Sequence, residues 1–437
     1  MTGERGIWDI LLLQDYNTVI VVMGASLLGL AGGFAGTLLL LRKRALLGDV
    51  VSHATLPGVV AAFMVMQAFG GGGKHLVGLL IGAAITGLAA AWIVPALRKA
   101  TGLKDDAIMG IVLGSAFGLG ISLLAITQGL PGGNQAGLDS FIYGKTASMV
   151  RDDAMLIGIG AIVVIAVSLL LCKEFRLLCF DEAFGSSLGR PMLMLDGLLM
   201  LVAVGVIVIG LQAVGLILMI ALLIIPASSA RFWTDGFVAT MIVAGGLGAA
   251  SGWVGSTISA MAARLPAGAI IVLAAGGFFL LSLLLGTRRG LVRRIWRQIA
   301  LRIRVQRQHL LRAMHEAVPE AGSVDESQLL RHRTWTPHRL AGALRRALRR
   351  GEIESTGTKA WRLTPHGLVG ARQIVRNHRL WELFLIHYAD IAPSHVDRDA
   401  DMVEHVLDAA LVAELEALVV PEGDMPQSPH PLGGQST

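Results

Sequence analysis

Residues 46 to 60 read LLGDVVSHATLPGVV, and inside this apolar run stand a carboxylate, a hydroxyl and an imidazole: Asp49, Ser52 and His53. On a helix, side chains four apart share a face, so Asp49 and His53 project side by side with Ser52 adjacent. A carboxylate and an imidazole together suit Mn(II), Fe(II) or Zn(II), and the lack of thiolates argues against Cu(I). Pro57 has no N–H, so the His53 carbonyl, four residues earlier, loses its helical partner and is free to face a cation or water. A plainer reading stands beside this one. Asp49 lies five residues after Arg44 and also suits an interfacial first turn favoured by the helix dipole, with His53 hydrogen-bonded to a neighbouring helix.

The elements that position these groups are membrane helices. The 437 residues are 54% hydrophobic and only 16% charged, too apolar for a chain of this length in water. Most of the charge falls after residue 286, so one region belongs in lipid and one in water. A hydrocarbon core of about 30 Å needs roughly 20 apolar residues of helix. About nine windows meet that length, over 17–41, 48–69, 76–96, 106–128, 153–172, 192–209, 212–230, 235–252 and 267–286. The division near Gln212 is the least marked, since 192–230 also reads as one interrupted block. Loops holding Arg42, Lys43 and Arg44, then Arg98, Lys99 and Lys104, then Lys173 and Arg176, then Arg231, then Arg288 and Arg289 alternate with nearly neutral ones. The positive-inside rule then places the N-terminus outside and the C-terminus in the cytoplasm. Cys172 and Cys179 are the only cysteines, both beside basic residues, which fits a reduced cytoplasmic setting. The opening MTGERGIWDILLLQDY lacks the basic start, apolar core and cleavage site of a signal peptide.

Two Gly-Lys stretches, FGGGGKHLVG and DSFIYGKTAS, do not make a phosphate loop. That loop needs Gly, four residues and Gly-Lys-Ser/Thr; the first stretch has Ala68 in the leading place and His75 after the lysine, and the second leads with Asp139. If ATP drives this protein, another subunit hydrolyses it.

The segment GDVVSHATLPGV resembles the ABC-type manganese/zinc/iron permeases, with LGRPMLM, LQAVGLILMIALLIIPASSA and LPAGAIIVLAAGGFFLLSLL following in the family's order. The resemblance covers residues 17–286. It implies that Asp49 and His53 bind manganese, zinc or iron in transit, with no permanently bound cofactor. CFDEAFGSSLGRP, residues 179–191, is similar to the coupling helix that docks on the ATPase, which points to Asp181, Glu182, Gly185, Leu188 and Gly189. Pro226 frees the Leu222 carbonyl near Ser228 and Ser229, so Pro57 and Pro226 are both candidates for a kink or gate. Packing by small residues also accounts for the second. The family further implies a cytoplasmic ATP-binding subunit dimer, an extracytoplasmic metal-binding protein, a second permease subunit of the same or a related kind, and a bacterial inner membrane.

The water-exposed part begins with a basic helix, residues 287–312, whose arginines and Trp296 suit anionic membrane lipid. Over 313–364 the pattern is a short helix at 326–331, an Arg-rich helix with Thr336 as cap, Pro337 in the first turn and Gly351 at the end, then two strands: a winged helix-turn-helix. Residues 365–420, through RNHRLWE and EHVL, resemble the metal-binding half of the iron-dependent repressors, and 421–437 is expected to be a flexible tail. That resemblance implies a regulatory metal held by His378, Glu382, Glu404 and His405, with Asp397 and Asp401 standing where the repressors place other ligands. A surface salt-bridge role for these groups is the alternative. Arg345, Arg346, Arg349 and Arg350 suit phosphate contacts, yet a membrane-fused domain can hardly search a chromosome, so DNA is not expected as a partner. The fold expected is an all-α polytopic membrane protein followed by a soluble winged helix and helical domain. Two other functions fit less well: a gradient-driven secondary metal transporter, for which acidic pairs on several helices are missing, and a membrane-tethered metal-responsive DNA-binding regulator.

Overall fold

The computed structural model describes residues 16–70, 75–128, 144, 146, 149–261, 265–317, 322–332 and 335–388. The chain divides into two units, Met1–Arg294 and Ile295–Thr437. In the first unit the helices are α1 (Tyr16–Leu41), α2 (Leu47–Ala68), α3 (Leu76–Thr101), α4 (Asp105–Gln128), α5 (Arg151–Leu170), α6 (Cys172–Phe180), α7 (Glu182–Ser187), α8 (Met192–Ala230), α9 (Phe237–Met261) and α10 (Ala267–Leu285). Among the described residues, eight helices are long and apolar enough to cross a membrane, and Val214–Ala230 is a shorter apolar helix. Eight of the nine windows expected from the sequence correspond to these helices and the ninth, 212–230, to the shorter one. α8 is one helical element broken at Gly215, whose φ of 76° and ψ of 172° leave the helical region.

That break turns the chain back on itself. A Cβ at Gly210 would run into Met219 Sδ, a proximity that nine residues of continuous helix, about 13 Å of rise, does not allow. Gly144, also at positive φ, lies with its backbone against Val214 and Gly215, where no side chain fits. Of the second Gly-Lys stretch, only Gly144 and Thr146 are among the described residues, and residues 71–74 of the first lie outside them.

α1 is the hub of the first unit, packed against α9, α8 and α5, while α2 packs against α3, α4 and α8. Lipid tails are as apolar as leucine, so such contacts depend on close approach and dispersion rather than on hydrophobic burial. Glycine supplies the approach. A Cβ at Gly29 would strike the Gly248 carbonyl, one at Gly33 the Ala244 carbonyl, and one at Gly36 the Leu223 carbonyl.

The second unit includes most of α11 (Leu291–Ala317), which runs past the expected end at 312 so that Leu310, Leu311 and Met314 enter the core. It continues with β1 (Val324–Asp325), α12 (Glu326–His332), α13 (Pro337–Arg349), β2 (Ile353–Gly357), β3 (Ala360–Leu363) and α14 (Pro365–Tyr388). The sheet has the order β1-β3-β2 and is antiparallel, with Ile353 opposite Leu363 and Val324 opposite Trp361. Thr336 precedes α13 in an extended conformation, but its side chain makes no capping hydrogen bond; Pro337 and the left-handed Gly351 bound the helix as expected. Leu340, Leu344 and Leu329 close over the sheet.

Replacing Gly33 by leucine should cost about 1–3 kcal/mol or more through overpacking at the α1–α9 crossing. Gly246→Ala, at a position with open space, is the control. Thermal unfolding of the detergent-solubilised proteins checks this, with a clear drop expected only for Gly33→Leu.

Candidate functional site

Asp49 and His53 lie in the first turns of α2, with His53 Nε2 3.4 Å from Asp49 Oδ1. Their side chains are 33% and 23% exposed, so the pair is half-open rather than enclosed. The His53 ring meets the edge of Phe117 from α4, ring centroids 5.0 Å apart, and its Nδ1 is buried with no hydrogen-bond partner among the described residues. Ser52, expected beside them as a polar neighbour, is buried and donates to the Gly48 carbonyl at 2.8 Å, which occupies its hydroxyl proton. The site is therefore a two-donor patch. Among the described residues, no three His, Cys, Asp or Glu side chains come together as a cage.

Neighbouring helices hold α2 at close range. Gly58 and Gly82 meet backbone to backbone, and Gly87 of α3 takes up the space beside Thr55 and Val51. Pro57 stands inside α2, which continues unbroken to Ala68. Pro226 likewise stands inside α8, whose non-helical residue is Gly215. Next to Pro226, Ser229 donates to the Ile225 carbonyl at 2.7 Å.

The stretch singled out at 179–191 forms a corner between α6 and α8. Asp181 caps α7, its Oδ1 accepting from the Phe184 N–H at 2.9 Å. Gly185 faces inward, where a Cβ would strike Met192, and Gly189 takes a left-handed φ of 71° that ends the turn. Phe180, Phe184 and Leu188 stand outward and exposed. The five residues named from sequence therefore divide: Leu188 offers a surface, Gly185 and Gly189 shape the corner, and Asp181 and Glu182 hold it.

The holding partner of Glu182 was not legible by motif. Arg42 donates to Glu182 at 2.8 Å and to Asp196 at 3.1 Å, and Arg44 donates to the other Asp196 oxygen at 2.8 Å. Asp196 is an acidic residue within the apolar run MLMLDGLLM, and that oddity was the available signal. Beside them, burial pushes the Cys179 thiol up to about 11, so it stays protonated.

In the second unit His378 is buried, with Nδ1 3.0 Å from Arg312 Nη1; Arg312 also donates to Glu316 at 2.6 Å. Glu382 follows one turn later on α14. Asp397, Asp401, Glu404 and His405 lie outside the described residues. Of the α13 arginines, Arg346 donates to Gln306, while Arg345, Arg349 and Arg350 are exposed.

A model of the ABC 3 transport family matches residues 14–286, and one of the iron dependent repressor metal binding and dimerisation domain matches residues 364–430. The chain is 36% identical over 388 residues to the manganese transport system membrane protein MntC of Bacillus subtilis, covering 89% of this chain and 88% of that one. It is 39% identical over 287 residues to the zinc transport system membrane protein TroC of Treponema pallidum, covering 66% and 95%. Among solved structures, PsaBC from Streptococcus pneumoniae in complex with Fab is similar with a TM-score of 0.57 and 27% identity, over 65% of this chain and 97% of that one. With a family match over the whole helical unit, the chain belongs to the ABC 3 transport family and is a permease subunit of an ABC transporter.

Proposed function

We propose that this permease moves manganese, zinc or iron into the bacterial cytoplasm, with Asp49 and His53 as ligands of the ion in transit. The observation that carries the reading is the pair itself: an imidazole and a carboxylate on one face of α2, half-open, with a ring nitrogen that lacks a partner among the described residues. Ionisable groups within a membrane helix cost about 2.5–3.5 kcal/mol each on insertion scales, a cost that a transported cation offsets. Both manganese and zinc transport proteins stand among its relatives, and nitrogen plus oxygen donors suit either ion.

Two donors leave most of a transition metal's coordination unfilled, since such sites usually hold four ligands or more. A second permease subunit, of the same or a related kind, would supply the rest. The surface next to the site suits a helix from that subunit: Gly110, Gly114 and Gly118 recur every four residues on α4 with open space beside them, and Phe117 of the same stretch touches His53. An extracytoplasmic metal-binding protein would deliver the ion. The ATP-binding subunit dimer would dock at the α6–α7 corner, where Phe180, Phe184 and Leu188 form an exposed apolar ridge. The N-terminus is then outside and the C-terminus in the cytoplasm of an inner membrane.

The second unit is read as a winged helix, formed by α12, α13 and the β2–β3 hairpin, joined to a repressor-like metal-binding part. Its use is product inhibition: the transported ion, once concentrated inside, binds this unit and restrains the permease. The exposed face of α11, with Leu291, Ile295, Trp296 and Ile299 flanked by arginines, suits anionic lipid.

Asp49→Ala or His53→Ala should abolish metal accumulation in cells while membrane insertion persists, since each removes a ligand and neither removes a helix. Wild-type uptake by both variants at equal expression would remove the site assignment. Leu188→Asp should release the ATPase in co-purification without loss of the folded permease, because the side chain is exposed. A chain ending at Arg294 should lose the slowing of uptake that high internal metal imposes on the full-length protein. Equal slowing of both in metal-loaded vesicles would reject the sensor reading.

A further inference from the structure

The turn joining α1 to α2 is fastened to three other elements through one guanidinium. Arg42 uses its three nitrogens in three directions: Nε donates to Asp196 Oδ1 at 3.1 Å, Nη1 to the Leu178 carbonyl at 3.0 Å, and Nη2 to Glu182 Oε2 at 2.8 Å. These acceptors belong to α8, α6 and α7 respectively. Arg44 adds a bond to Asp196 Oδ2 at 2.8 Å, so both carboxylate oxygens are engaged. The Arg42 and Asp196 side chains are only 15% and 17% exposed, which spares that arm from screening by salt. The Glu182 arm is different, because its carboxylate is 53% exposed and such a pair breaks and re-forms cheaply.

The turn itself is short and internally bonded. The Arg44 N–H donates to Leu39, the Leu47 N–H to the Arg44 carbonyl, and the Asp49 N–H to the Leu46 carbonyl, at 2.8, 3.0 and 3.1 Å. Lys43 takes a left-handed φ of 61°, the price of reversing the chain in so few residues. A displacement at the α6–α7 corner therefore reaches Asp49 through hydrogen bonds, with no slack segment between them. Lysine does not reproduce this joint, because a single ammonium lacks the planar fork that meets three acceptors at once.

We propose that Arg42 is a positioning residue that couples the α6–α7 corner to the metal helix, so that movement of the corner resets Asp49 and His53. This rests on reading the corner as the ATPase contact. Asp196 and Arg44 hold the turn against α8 throughout, and Glu182 is the arm that engages and releases. The joint serves the match between ATP hydrolysis and ion movement rather than the binding of either.

The test uses the permease with its ATPase and binding protein in proteoliposomes, with manganese or zinc ion as the probe, and reads ions imported per ATP hydrolysed. Arg42→Gln should lower that ratio about tenfold, the scale of an ordinary coupling energy, while the ATPase still co-purifies and still hydrolyses ATP. Arg42→Lys should recover only part of it. Glu182→Gln should lower the ratio with the melting temperature unchanged, and it carries the test alone if Arg42→Gln does not fold. A purely structural joint would depress transport and hydrolysis in proportion and lower the melting temperature. That outcome, or a wild-type ratio in Glu182→Gln, overturns the proposal. Failure of Leu188→Asp to release the ATPase would instead reject the docking assignment, independently of any Arg42 result.

Discussion

A bilayer core offers no water to a polar group, and most of this structure follows from that. Backbone amides must pair within their own helix, and many hydroxyls find a carbonyl nearby. The hydroxyls do so repeatedly in the same way, by donating four residues back: Thr37 to Gly33, Ser52 to Gly48, Thr127 to Leu123, Ser251 to Leu247 and Ser282 to Phe278. Helices satisfied in this manner present apolar surfaces with nothing to gain from burial against one another. What holds them is proximity, and the α1–α9 and α2–α3 crossings obtain it by meeting glycine to glycine.

Against that background the few charged groups of the helical unit carry information. Where they are fully partnered, as in Arg42, Arg44, Asp196 and Glu182, they tie separate elements into one mechanical unit. Asp49 and His53 are held differently. Their mutual contact is long at 3.4 Å, they remain half-open, and no third donor group joins them among the described residues. A tight, closed ion pair would leave neither donor free for a further partner. A loose pair keeps both donors available.

Proline and glycine exchange the roles that their reputations assign. Pro57 and Pro226 lie inside stretches that remain helical on both sides of them. Gly215 instead turns the chain, and Gly144 fills the turn with bare backbone. The reversal needs a positive φ and a backbone close to a backbone, and glycine alone meets both conditions.

Hydrophobic length, basic loops and the Asp49–His53 spacing were readable directly, because each depends only on residues close in sequence. Span limits came within about five residues, since water and lipid sort side chains locally, except that α9 runs to Met261, nine residues past the expected 252. The inward turn of Gly185, the outward turn of Leu188 and the burial of His378 against Arg312 were not readable, because helix periodicity does not say which face meets a neighbour. Nor was the Arg42 joint, whose partners lie 136 to 154 residues away. The chain by itself determined that a carboxylate and an imidazole sit on one face of a membrane helix. Tertiary structure alone decided that they stay loosely paired and that the helix bearing them is fastened to a distant corner, because side-chain partners are chosen by packing across helices and not by order along the chain.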